Sequence, residues 1–113
     1  MNYKVTAKEA LIQLMEQSEL QFTVMMKHGS MSIEYFAPLK VDTQTPHKQD
    51  EIYVVIKGQG MFYRNGERVP CKKSDVLFVP AGMEHHFENF SDDFAVWVFF
   101  YGPDGGERKD INP

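Results

Sequence analysis

The feature that most restricts this chain is its punctuation. From residue 21 to residue 102, short runs rich in Val, Ile, Phe and Tyr alternate with turn residues. The runs are FTVMMKHGS, MSIEYFAP, EIYVVIKG, GMFYRNGERVP, DVLFVPAG, HHFENF and FAVWVFFYG. In MSIEYFAP the side chains alternate, with Met31, Ile33 and Tyr35 on one face and Ser32, Glu34 and Phe36 on the other. Asn65-Gly66 is a two-residue type I′ hairpin signal. FAVWVFFYG is too rich in β-branched and aromatic residues to make a good helix. Many short strands with turn signals between them predict an all-β sandwich or barrel over residues 21–102.

Residues 1–20 have a different character. Thr6 and Glu9 have capping-box spacing, and Ala10, Leu11, Leu14 and Met15 share a face at helical spacing. This predicts one short amphipathic helix packed on the β domain. The segment 103–113, PDGGERKDINP, reads as a surface or disordered tail.

Composition bounds the function. At 113 residues the chain is expected to be one domain. Its 12 Lys and Arg against 16 Asp and Glu give a net charge of −4, and no basic cluster is present, so nucleic acid is not the expected partner. Cys71 is the only cysteine, which excludes an internal disulfide and fits a reducing compartment. No apolar signal core or membrane-length run is found, so a cytoplasmic location without membrane contact is expected.

Two clusters carry chemistry. In TPHKQDEIYVVIKG, residues 45–58, His47 and Glu51 precede an apolar strand. Strand parity puts Thr45, His47, Gln49 and Glu51 on one side, continuing through Tyr53 and Val55. If that side faces inward, Glu51 needs a partner: a basic side chain, a hydrogen-bond network or a metal. In PAGMEHHFEN, Pro80 and Gly82 make a bend and His85 opens the next extended piece, with Phe87 on its face and His86 on the other. Two imidazoles and a carboxylate are a donor set for divalent transition metals. His47, Glu51 and His85 are therefore the candidate metal ligands. A structural His–Glu hydrogen bond without metal is the competing reading of His47 and Glu51. Glu34, Tyr53, Phe62 and Phe87 are candidates to line a pocket.

These clusters resemble the paired motifs of the cupin superfamily. In the first, G-x5-H-x-H-x3/4-E-x6-G, the second His falls on His47, the Glu on Glu51 and the closing Gly on Gly58. In the second, G-x5-P-x-G-x2-H-x3-N, SDVLFVPAGMEHHFEN places Pro80, Gly82, His85 and Asn89. The resemblance implies a double-stranded jelly-roll β-barrel with one divalent metal at its mouth. The donor set does not choose among iron, zinc, nickel and manganese. The chain departs from the pattern at Thr45, which stands where the first motif has its first His, and at Ser74, where the second has its leading Gly. Gln44 and Gln49 are the candidates to replace the missing ligand or to anchor a water, with Gln49 favoured by parity. The resemblance implies a small-molecule ligand or substrate and a homodimer. It accommodates oxygenases and isomerases acting on small polar metabolites, and equally non-enzymatic sugar or metabolite binding or sensing. No catalytic residue is assigned.

Overall fold

The computed structural model describes residues 3–17 and 20–108. Among the described residues one helix, α1 (Ala7–Met15), precedes eight strands: β1 (Phe22–His28), β2 (Met31–Phe36), β3 (Asp50–Lys57), β4 (Gln59–Arg64), β5 (Glu67–Lys72), β6 (Val76–Val79), β7 (His85–Glu88) and β8 (Ala95–Tyr101). Five strands form one sheet in the order β1-β2-β8-β3-β6, and three form a second in the order β5-β4-β7. All pairings are antiparallel. This is the expected all-β jelly roll. Its sheets are not closed into one hydrogen-bonded ring; at the seam the Arg64 guanidinium donates to the Phe78 carbonyl at 3.1 Å.

The strands form because alternate side chains find an interior. Tyr53, Val55, Phe62, Val79, Phe87, Phe94, Val96 and Val98 are buried together between the sheets. Each large apolar side chain removed from water there stabilises the fold by about 1.5–3 kcal/mol. The Tyr53, Phe62 and Phe87 rings meet edge-on or tilted, with centroids 5.0–6.0 Å apart. Asn65 and Gly66 have φ of 46° and 90°, as the type I′ turn between β4 and β5 requires.

Helix α1 begins with the expected reciprocal capping box between Thr6 and Glu9. Ala10 and Leu14 pack on Tyr35 and Ala95, on the outer face of the large sheet. The Gln13 amide donates to the buried Thr23 hydroxyl at 2.6 Å, fastening the helix to β1. Met15, grouped with the helix's apolar face from its spacing, is the last residue of the helix and is 75% exposed.

The tail bends back onto the domain. Gly105 N–H donates to the Lys48 carbonyl at 2.6 Å, and Glu107 N–H to the buried Asp50 carboxylate at 2.8 Å. Residues 103–108 therefore lie as a surface loop beside the segment that carries His47; the last five positions of the expected tail lie outside the described residues. Among the described residues no helix is long and apolar enough to cross a membrane.

Candidate metal centre

Three elements deliver the candidate ligands to one point. Glu51 is the second residue of β3 and faces inward, in register with Phe100 of β8 and Val79 of β6. His85 is the first residue of β7 on the opposing sheet. His47 lies on the irregular segment leading into β3. That segment is held from two sides: Gly82 N–H donates to the His47 carbonyl at 2.8 Å, and Ala81 N–H to Asp50 at 2.9 Å. The Pro80–Gly82 bend and the His47 segment are thus stitched together by one backbone bond and one to the Asp50 carboxylate. Gly82 has φ of 79°, which only a glycine adopts without strain.

Glu51 Oε1 lies 2.9 Å from His47 Nδ1 and 2.9 Å from His85 Nε2. One ligating atom from each residue lies within 4.8 Å of the other two. Glu51 and His85 are each 1% exposed, and His47 is partly open to solvent. Glu51 Oε2 is buried with no hydrogen-bond partner among the described residues. His85 Nδ1 is 2.8 Å from the Met83 carbonyl. A carbonyl only accepts, so Nδ1 carries the proton and Nε2 is the nitrogen presented to the cluster.

The charges follow from this geometry. Burial alone would raise the Glu51 carboxyl, but the hydrogen bonds from His47 and His85 outweigh it and hold it below its usual value. Burial alone would lower the His85 imidazole; the bonds to Glu51 and the Met83 carbonyl reverse that and raise it. Without metal, both shifts favour the charged pair, carboxylate and imidazolium. A pair this deep gains little stability after desolvation. The donor set fits a divalent transition metal: two imidazoles, one carboxylate with a spare oxygen, and one tautomer already fixed.

Of the two glutamines, the structure brings Gln44 to the cluster and leaves Gln49 outside it. Gln44 Oε1 accepts from the Tyr53 hydroxyl at 3.0 Å and lies 3.2 Å from His85 Nε2. The Gln49 amide donates to the Ser30 and Gly102 carbonyls at 2.7 and 2.9 Å, tying the β1–β2 turn to the end of β8. Parity favoured Gln49 wrongly because residues 43–49 are not a strand, so period-2 alternation does not hold before Asp50. Thr45, at the motif's missing histidine, is exposed.

A cavity of about 260 Å³ opens beside the cluster, with Phe22, Glu34, Phe36, Gln44, His47, Tyr53, Val98 and Phe100 as its walls. Glu34 and Tyr53 thus line it. Phe62 and Phe87 do not: they are cross-strand partners between β4 and β7 and fill the core beneath the cavity. His86 stands on the outer face, stacked on Tyr63 and paired with Glu88 at 2.8 Å.

Two carboxylates that build the site were not singled out from the sequence. Asp42 is buried and accepts from Gln44 N–H, the Gln44 side-chain amide and Phe87 N–H, at 3.1, 2.7 and 2.9 Å. It orients Gln44 and joins that loop to β7. Asp42 followed two residues later by Gln44 is an Asx-turn pattern, the one local signal available. Asp50 has the corresponding role for the Pro80 bend and the 105–107 loop.

The family described as Cupin domain matches over residues 32–101. An uncharacterized protein of Streptomyces coelicolor is 34% identical over 87 residues, covering 75% of this chain and 80% of that one. The oxalate-binding protein of Thermotoga maritima is 44% identical over 46 residues, 38% of each chain. The acireductone dioxygenase of Hahella chejuensis is 34% identical over 64 residues, 52% of this chain and 35% of that one, so this chain matches about a third of the enzyme's length. Among solved structures, a cupin 2 conserved barrel domain protein from Salinispora arenicola superposes with a TM-score of 0.62 at 19% identity, covering 72% of this chain and 74% of that one. With the fold, both motifs and the family match in agreement over most of its length, this chain belongs to the cupin family.

Proposed function

We propose that the chain holds one divalent transition metal on His47, Glu51 and His85 and uses it to bind a small oxygen-bearing metabolite, as an oxygenase or isomerase. The observation that carries this reading is Glu51. One of its oxygens lies 2.9 Å from each of two imidazoles, and the other is buried with no hydrogen-bond partner among the described residues. Leaving a buried acceptor unpaired costs about 1–3 kcal/mol, a poor arrangement for a purely structural residue and a suitable one for a metal ligand. When bound, the metal would supply Lewis acidity and open positions for an oxygen donor. The chain's own residues do the rest. The Met83 carbonyl fixes the His85 tautomer, Gln44 and Tyr53 form the polar inner wall, and Phe22, Phe36 and Phe100 limit water around a ligand. The relative named as an acireductone dioxygenase supports a catalytic role. The relative named for oxalate binding favours a second reading, a non-enzymatic binding module on the same centre.

Elemental analysis of protein purified without chelator is the first test, with near-stoichiometric metal expected. His47→Ala, at a partly exposed position, should weaken metal binding at least about 100-fold while leaving the far-ultraviolet circular dichroism unchanged. A wild-type protein that takes up no iron, zinc, nickel or manganese after their addition refutes the reading. Oxygen uptake by the iron-loaded protein with candidate metabolites then separates oxygenase from binder.

A further inference from the structure

We propose that Glu34 sets the ligand class of this centre, selecting neutral hydroxyl-bearing small molecules over carboxylates. The inference rests on the metal-centre reading above and deepens it.

The argument starts from register. Strands β2, β8 and β3 lie side by side, and Glu34, Val98 and Tyr53 are cross-strand partners, so all three point to the same inner face. The adjacent inward row carries Phe100 and Glu51. Two strand spacings, about 10 Å, separate the Glu34 backbone from β3. The cavity occupies that interval, with Glu34 on one wall and His47 and Tyr53 on the other. A small molecule bound through an oxygen at the metal group would therefore extend toward Glu34.

The other walls narrow what it could be. Phe22, Phe36 and Phe100 offer no hydrogen bonds, while Gln44 and Tyr53 are bonded to each other. Among the described residues no lysine or arginine lines the cavity. Among the described residues no cation forms a salt bridge with Glu34. Burial raises the Glu34 carboxyl above its usual value; through space, His47 draws it down, Glu51 pushes it up and Lys27 of β1 draws it down. Glu34 is thus an unpaired acceptor facing the space where a ligand would sit. A ligand hydroxyl can donate to it in a charge-assisted bond, worth about tenfold or more in affinity. A ligand carboxylate would meet like charge from the ionised Glu34, at a cost of about tenfold or more.

Glycolamide and glycolate test this, because they share a hydroxyl and differ in charge. Each is titrated against the Mn2+-loaded wild type and Glu34→Gln, following paramagnetic relaxation of the ligand protons, with bound Mn2+ counted by electron paramagnetic resonance. Removing the charge should tighten glycolate about tenfold and leave glycolamide unimproved. Glu34→Ser, which also removes the charge, should move glycolate in the same direction and guards against a folding defect in one variant. Equal Mn2+ occupancy with an unchanged glycolate-to-glycolamide ratio in both variants overturns the role of Glu34 and leaves the metal centre standing. A wild type that binds no Mn2+ overturns the metal centre, and the selectivity with it.

Discussion

Removing the Asp42 carboxylate should disturb this domain more than any exposed charge. Asp42 is 8% exposed and accepts three hydrogen bonds, two from Gln44 and one from the Phe87 backbone N–H. Bonds to a charged acceptor contribute about 1.5–3 kcal/mol each, but three on one buried carboxylate share its desolvation cost and do not add fully. Asp42→Ala also leaves the Phe87 N–H, in the core, without a partner. A loss of about 3 kcal/mol is expected, which for a domain this size lowers the melting temperature by about 10 °C or more. Asp42→Asn keeps an acceptor for Phe87 but sets an amide against the Gln44 N–H, so about half that loss is expected. Urea unfolding of chelator-treated protein, with wild type and both variants in parallel, gives the values. A cost for Asp42→Ala below about 1 kcal/mol, the level of an exposed ion pair, would refute the reasoning.

Four further outcomes follow from the structure. Gly58→Ala should cost about 2–4 kcal/mol in urea unfolding, because φ there is 80° and an added Cβ would lie 2.8 Å from the Phe94 Cα. Ser74→Gly should instead stabilise by about 0.5–1 kcal/mol, since Ser74 has φ of 79° and a glycine relieves that strain. In chelator-treated protein, the His85 contribution is full below about pH 6.5 and is lost as pH rises through its raised folded value; the Glu51 contribution is full above about pH 4.5 and is lost as pH falls through its lowered one. The melting temperature should therefore peak between those limits and fall on the alkaline side, and a profile flat from about pH 5 to 8.5 would contradict the pairing. Burial and the nearby Asp75 push the Cys71 thiol up to about 11, so iodoacetamide at neutral pH should label the native protein far more slowly than the urea-unfolded one.

The sequence was most informative where backbone conformation is demanding. Gly58 and Gly82 take positive φ, Asn89 has φ of 48°, and the Asn65-Gly66 turn falls where its dipeptide indicated. Such positions admit few residue types, so they can be recognised locally. His47, Glu51 and His85 could be grouped because two motifs with fixed internal spacing bracket them. The inward side of β3 was also readable, since Tyr53 and Val55 are 1% and 2% exposed. What failed was alternation carried past the end of the strand, which favoured Gln49 over Gln44. The pocket was only partly legible for a related reason. Parity identifies an inward side but not its depth, so Tyr53 on the cavity wall and Phe87 in the core beneath looked alike. Asp42 escaped notice because its partner Phe87 is 45 positions away, and only the fold makes them neighbours.

The bond from His85 to the Met83 carbonyl has a consequence for how this centre can be dissected. Nearly every substitution at position 83 keeps that carbonyl, so alanine scanning would pass over the group that decides which imidazole nitrogen faces the ligand. The information lies in the path of the chain from Pro80 to His85, not in a side chain. Changes that redirect that path, such as a proline at position 84 or an insertion within the bend, should silence the centre while every candidate ligand is still present.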